Sequence, residues 1–403
     1  MPLFDWQAIL TVCDTEASRR NMQACADLGV DKASKLLGIN RRTLQIMAAR
    51  LRDRAAIGGL SPAHGMTHPV PTPFAVSGVS TLYNAEGQIA AQWVKSRLRE
   101  EEAAQAMREA IEDFVSDFRG SAKPIKPPAR NVSNLLTVVP LGDPHIGMYA
   151  HHAEAGENFD VEIARQDLMA AAARLMEVAP PTERALIVNL GDFFHADSLS
   201  QLTKSGNKLD VDTRWPRVLK LGCQLMVELI TLALRKHQSV EVVNAIGNHD
   251  DHSSVMLAAF LEAWFHAEPR VLVHPTASKF HYIEFGRNLI GITHGDTVKL
   301  TALGELMAAD RPEAWGRAAH RYWYTGHIHH TSKTELRGVV VESFRTLAAK
   351  DAWHSAQGYR AGRDMYVIVL DAEHGEVERH RCDIRQVRNE PQADQTNPPQ
   401  RRS

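Results

Sequence analysis

Apolar and polar positions alternate between two periods along this chain. Five short β-type runs, Leu135 to Pro140, Ala185 to Leu190, Val240 to Ile246, Leu289 to Ile292 and Tyr322 to Thr325, each end in a polar turn. Between them lie helix-period stretches, notably Val161 to Val178, Pro216 to His237 and Ser253 to Phe265. Further strand runs follow at Gly338 to Phe344 and Met365 to Leu370, the second closing in a Glu373-His374-Gly375-Glu376 turn. This alternation predicts an α/β domain over residues 132–388.

The N-terminal part has a different pattern. Residues 16–56 read as helical, and Ala75 to Tyr83 with Gln88 to Val94 read as a β-hairpin around Asn84-Ala85-Glu86-Gly87. The hairpin could be a wing or packing for Trp93. A charged helix is expected from Ser96 to Phe118, with Ala103, Met107, Ile111 and Phe114 on one face. It could space two units or pair two copies of the chain. Residues 120–131, with Pro124, Pro127 and Pro128, read as an extended linker, and the Pro/Gln-rich stretch 389–403 as a disordered tail. The expected domains are therefore 1–119, a mainly helical DNA-binding domain with hairpin and trailing helix, and 132–388.

At 403 residues the chain has room for two or three domains. Its 46 basic and 48 acidic residues nearly cancel, so any basic surface must be local. Four cysteines without a CxxC pair fit a reducing compartment better than a disulfide framework. No apolar run reaches a membrane span and the start has no basic region before an apolar core, so the expected location is cytoplasmic, with no membrane partner.

Histidine changes the picture. Twenty are present, and many fall in the turns that end the five runs: Gly142-Asp143-Pro144-His145, Gly191-Asp192-Phe193-Phe194-His195, Gly247-Asn248-His249-Asp250, Thr293-His294-Gly295-Asp296 and Gly326-His327-Ile328-His329. Carboxylate, carboxamide and imidazole donors without thiolates suit divalent Mn²⁺, Zn²⁺ or Fe²⁺. Turns at the carboxyl ends of sheet strands can converge on one place, and glycines let the backbone turn tightly there. Other histidines, His151, His152, His252, His320, His330 and His354, read as ordinary hydrogen-bonded loop residues. Asp250 could orient His249 or cap the following helix. Arg345, Lys350, Trp353, Tyr359, Arg360 and Arg363 could clamp phosphates and stack bases, or form a solvated loop.

The ordered series D-x-H, G-D, G-N-H-D, H-G-D and G-H-x-H resembles the calcineurin-like metallophosphoesterase family over residues 135–345. That resemblance implies a two-sheet sandwich flanked by helices. It also implies two divalent cations, Mn²⁺ foremost, with Asp143, His145 and His329 on one, Asn248, His294 and His327 on the other, and Asp192 bridging. In that scheme a water between the cations attacks phosphorus, and His249 protonates the leaving oxygen or stabilises the developing charge. The family's Ser/Thr phosphatases carry Asp-Arg-Gly after their G-D. The Gly191-Asp192-Phe193-Phe194-His195 block is instead similar to the nuclease subunits of double-strand-break repair complexes, which makes His195 a second catalytic candidate. Those nucleases lack this N-terminal domain, and their capping segments are not recognisable here.

Lys32 to Leu44 has the layout of a helix-turn-helix and resembles that of Fis-type bacterial regulators. Ala33 is expected at a close helix contact, Gly38 in the turn, and Ile39 and Leu44 in the core. The resemblance directs Arg41, Arg42, Gln45 and Arg50 toward DNA. Between residues 19 and 54 there are nine Lys/Arg and three acids, an excess that favours phosphate. The alternative is a solvated helical bundle that binds protein or nothing. Together these features point to a metal-dependent phosphodiesterase or nuclease delivered to DNA, an assembly similar to those of phages and prophages. The alternatives are a cyclic-nucleotide phosphodiesterase or nucleotide phosphatase, and a DNA-binding regulator with an inactive phosphoesterase domain.

Overall fold

The computed structural model describes residues 6–61, 66, 70, 74–98, 109, 112, 115–197, 201, 208–275 and 278–388. The chain divides into two compact units, residues 1–112 and 113–403. The expected tail, 389–403, and most of the helix expected to begin at Ser96 lie outside the described residues.

In the first unit, helices α1 (Trp6–Thr11), α2 (Glu16–Leu28), α3 (Val30–Leu37) and α4 (Arg41–Ile57) enclose a small core of Ile9, Met22, Cys25, Ala33, Leu44, Ala48 and Leu51. Gly38 takes a left-handed conformation after α3. Asn40 then starts α4, its side chain accepting the Arg42 N–H at 2.8 Å. Strands β1 (Phe74–Tyr83) and β2 (Ile89–Leu98) form the hairpin. Two expectations change here. β2 runs through Ser96 to Leu98 instead of giving way to helix at Ser96, and Trp93 is exposed, so the hairpin is not packing for it.

The second unit is built on two mixed sheets. One has the order β13-β12-β3-β4-β5-β6, in which β3 (Val132–Leu141), β4 (Thr182–Asn189), β5 (Ser239–Asn244) and β6 (Val271–Val273) are parallel. Antiparallel β12 (Asp364–Asp371) and β13 (Gly375–Asp383) complete it. The other has the order β10-β11-β9-β8-β7, with β8 (Asn288–Ile292), β9 (His320–Thr325) and β11 (Val339–Ser343) parallel, and β7 (His281–Phe285) and β10 (Ser332–Leu336) antiparallel edges.

The period of two in these strands sorts residues into layers. Leu136, Val138, Leu186 and Val188 meet Ile290, Ile292, Tyr322 and Tyr324 between the sheets. Val139, Ala185, Ile187, Val240 and Val242 face the other way, onto the helices Val161–Val178, Trp215–Leu234 and Asp251–Trp264. Leu289, Trp323, Val339 and Val341 cover the outer face of the second sheet with Leu303 and Met307. The result is the expected α/β arrangement of two sheets flanked by helices.

Residues 118–125, within and beside the stretch read as a linker, lie on this unit. The Phe118 ring meets Phe260 edge-on at 5.1 Å, Gly120 and Ala122 donate to the carbonyls of Ala263 and Trp264, and Arg270 Nη1 donates to the Ile125 carbonyl at 2.9 Å. Among the described residues no helix is long and apolar enough to cross a membrane. Cys25, Cys223 and Cys382 are buried and Cys13 is partly so, all as free thiols.

Candidate metal centre

The five turns come together because each follows a parallel strand: β3, β4 and β5 of one sheet, β8 and β9 of the other. Carboxyl ends of parallel strands leave a crevice at the sheet edge. The loop after β4 is anchored by two fully buried rings, Phe193 and Phe194, packed edge-on at 5.0 Å. Gly222, inside the helix Trp215–Leu234, makes room for them, since a Cβ there would overlap the Phe194 ring. Ile146 N–H donates to the Phe193 carbonyl at 2.7 Å and His145 N–H to the Asp192 carbonyl at 3.0 Å, which ties the loops after β3 and β4 together.

Two trios of donors result. Asp143, His145 and His329 form one and Asp192, His294 and His327 the other, with the donor atoms of each trio within 4.8 Å of one another. Asn248 joins the second, its Oδ1 3.0 Å from His294 Nε2. His294 Nε2 is also 3.1 Å from Asp192 Oδ2, while His294 Nδ1 donates to the Leu190 carbonyl at 2.8 Å and so fixes the ring. His145 Nε2 and His329 Nε2 lie 3.1 Å apart. Five of the seven non-glycine residues with positive φ among the described residues are here: Asp143, His145, Asp192, His327 and His329. Backbone strain of this kind persists only where the surroundings over-determine it, and it collects at functional sites.

His249 donates its backbone N–H to Asp192 Oδ1 at 2.8 Å and its Nδ1–H to the His195 carbonyl at 2.9 Å. Its ring stacks on that of His195 at 5.4 Å. His195 Nδ1 is 3.2 Å from His145 Nδ1, and His195 Nε2 is buried with no hydrogen-bond partner among the described residues. A third trio, His145, His195 and His249, thus adjoins the first.

Asp250 is not the side-chain helix cap that is one of the two roles expected of it. It stands at the N-cap position of the helix Asp251–Trp264, but its side chain makes no capping hydrogen bond to the backbone there. Its buried carboxylate instead accepts backbone N–H groups from Asp192 and Gly247 on Oδ1 and from Phe194 on Oδ2, at 3.1 to 3.2 Å. The start of the following helix is held by Asp197, which accepts from the His252 and Ser253 N–H groups at 2.9 and 2.7 Å. Gly247 has no room for a side chain, because a Cβ would overlap Asp192.

The electrostatics ask for positive charge. Burial, with Asp192 and Asp250 nearby, pushes the Asp143 carboxyl up to about 7, and burial beside Asp192 does the same to Asp250. Burial would also raise Asp192, but His294 and His249 draw it below the ordinary carboxylate range. Burial acts against an imidazolium at His294, yet Asp192 and Asp143 hold it up to about 10. His195 and His329 are pushed down to about 3, and His145 well below its ordinary value, by burial and by neighbouring imidazoles. Neutral imidazoles at His145 and His329 offer lone pairs, and the charge held on His294 shows how strongly Asp143 and Asp192 favour a cation beside them, so oxygen and nitrogen donors of this kind fit a divalent ion.

Of the histidines read as loop residues, His151 and His330 have partners two residues away, while His252, on the helix Asp251–Trp264, meets Asp197 and His320, in β9, meets the Glu373 carbonyl. His354 is different. Its ring stacks on His329 at 5.1 Å, and its N–H and Nδ1 both meet Asp351 Oδ1 at 2.7 Å. Nothing in the local sequence marks this pair, since the contact is set by the loop after β11. In that loop Arg363 is buried on Glu157 and Asp167, and Arg345 is paired to Asp364, so neither is a free clamp. In the first unit Arg41, Arg42 and Arg50 are exposed on α4, with Gln45 half-buried. Arg41 pairs with Asp31 at 2.9 Å, an exposed contact of little energetic weight.

No protein-family model and no curated protein matches the chain. Among solved structures it is similar to an archaeal phosphodiesterase, at 14% identity over 61% of this chain and 99% of that one, with a TM-score of 0.32. It is also similar to Vacuolar Protein Sorting 29 from Cryptosporidium parvum, at 14% identity over 62% and 100%, with a TM-score of 0.31. A 5′-nucleotidase from Candida albicans aligns at 10% identity over 66% and 56%, with a TM-score of 0.34. At these scores the likenesses decide nothing about this chain; the donor geometry does.

Proposed function

We propose that this protein is a divalent-metal-dependent phosphoesterase of the calcineurin-like type that hydrolyses phosphodiesters, with DNA as its substrate and the N-terminal unit as the means of reaching it. The convergence of the two donor trios at the strand ends carries this reading. Asp143, His145 and His329 would hold one cation and Asn248, His294 and His327 the other, with Asp192 between them. Mn²⁺ suits these oxygen and nitrogen donors, as do Zn²⁺ and Fe²⁺. Bound there, two such ions supply Lewis acidity toward a phosphate and a field that offsets its charge.

The chain's own residues do the rest. A carbonyl can only accept, so the 2.9 Å contact to His195 O fixes a proton on His249 Nδ1. With both ring nitrogens protonated, Nε2–H is then the donor through which His249 would hand a proton to the leaving oxygen, leaving the neutral Nδ1–H ring. His195, stacked beneath it and buried, keeps that ring in place and excludes water on one side. His294, fixed through Leu190, and Asp192, fixed through His249 N–H, keep the two trios in register. For the first unit, exposed Arg41, Arg42 and Arg50 on α4 support contacts to phosphates, with Gln45 one turn beyond Arg41.

The test is incubation of the purified protein and Mn²⁺ with end-labelled linear DNA, circular DNA, cyclic nucleotides and bis(4-nitrophenyl) phosphate. Cleavage of the DNAs and the aryl diester is expected. Hydrolysis of cyclic nucleotides alone would move the protein to small-molecule chemistry, and no hydrolysis of any of them would reject the reading.

A further inference from the structure

Beside the metal centre is an open pocket of about 430 Å³ lined by His330, Thr331, Arg345, Gln357, Tyr359 and Arg360, with Gly358 and Ala361. Among the described residues no acidic side chain lines it. Arg345 donates to Asp364 at 2.7 Å, but Asp364 is shared with Arg381, and Arg381 and Arg385 both use Asp383. The lining itself thus offers two guanidinium groups, Arg345 and Arg360, which makes the wall positive. Arg360 is exposed and pairs with no acid among the described residues; its Nη1 donates to the carbonyls of Ser355 and Tyr359, at 3.2 and 2.7 Å, which fixes the head of the side chain.

The pocket wall is continuous with the donor trio. His330 follows His329 in the chain, and Thr346, next to Arg345, donates to the Asp143 carbonyl at 2.5 Å. His354 stacks on His329 and meets the Tyr359 ring edge-on, both at 5.1 Å, while Asp351 holds His354 from behind. The pocket lining is thus joined to the first donor trio through His330, Arg345 and Tyr359.

We propose that this pocket is an anion subsite that takes a phosphate flanking the scissile one, so that the substrate is a chain of phosphodiesters and not an isolated ester. This rests on the phosphodiesterase reading above. Guanidinium donors match phosphate oxygens in geometry and charge, and a positive wall without acids favours a polyanion over a neutral sugar or base.

The experiment compares dithymidylate, with one phosphodiester, and pentathymidylate, with four, in the Mn²⁺-loaded full-length protein. Arg360→Glu should raise KM for the pentamer at least about tenfold more than KM for the dimer, the scale of one charged contact, and Arg360→Lys should recover most of it. Anisotropy of labelled pentathymidylate on the metal-free protein should show the same selective weakening. Equal effects on dimer and pentamer, or none, would overturn the subsite even if bis(4-nitrophenyl) phosphate is hydrolysed. If no diester is hydrolysed the phosphodiesterase reading fails on its own, and the anisotropy still decides the subsite: selective weakening supports it and unchanged binding overturns it.

Discussion

Asp250 Oδ1 accepts the backbone N–H of Asp192 across 3.2 Å, in a place where both residues are buried. With its further contacts to Gly247 and Phe194, that one carboxylate fastens the turn after β4 to the turn after β5. Asp192 is thereby held at its backbone N–H by Asp250 and at its carboxylate by His249 and His294. Asp250→Ala leaves three backbone donors without an acceptor and is expected to cost about 3 kcal/mol of stability. Urea unfolding measures the loss, and metal titration of the folded fraction should show weaker binding although no proposed ligand has been removed. Unchanged metal affinity would limit Asp250 to a folding role.

His249→Ala should keep the metals and lower the chemical step by roughly 10²- to 10⁴-fold. The loss should shrink for a 4-nitrophenolate leaving group, which needs little protonation, and persist for an alkoxide. Single-turnover rates on the two ester types check this; an equal loss on both would remove the acid role.

Arg41→Ala with Arg42→Ala should weaken DNA binding and lower the slope of log affinity against log salt by about 2, one unit for each phosphate that is no longer neutralised. Anisotropy of a labelled duplex at several salt concentrations reads both. An unchanged slope would make the first unit a packing or protein-contact module.

Away from the centre, buried His237 gives a stability effect of definite sign. Burial pushes its imidazole down to about 4, while its Nδ1 meets the Thr182 hydroxyl at 2.8 Å. The folded-state pKa is thus below the ordinary value of about 6.5, so in the window between them the unfolded chain binds a proton that the folded chain does not. Its contribution is full above that window and is lost as pH falls through it, by up to about 3 kcal/mol. Urea midpoints of the metal-free protein between pH 7 and 4.5 should fall less steeply in His237→Gln than in wild type.

Much of this was legible in the sequence because strand period and ligand chemistry are local. The runs ending at Pro140, Leu190 and Thr325 each mark a strand that stops within a residue of the expected place, and Val161–Val178 matches its predicted helix. What escaped was set by contacts between distant segments. Asp250 sits where a helix cap belongs, but the cap comes from Asp197, and only the approach of the β4 turn gives Asp250 its partners. His354 has the local sequence of a loop histidine until the fold lays it on His329. Arg345 and Arg363 read as anion clamps because their acids, Asp364 and Asp167, arrive from other elements. The basic and acidic residues around Ser96 favoured helix, whereas pairing with β1 carries the strand to Leu98.

The proposed place of Asp192 between two cation sites can be read from a count of bound metal ions. Wild-type protein stripped with chelator and dialysed against Mn²⁺ should bind two ions per chain by elemental analysis. Asp192→Ala should bind fewer than one, with circular dichroism showing that it remains folded. Two ions retained by the folded variant, or none bound by the wild type, would contradict the account.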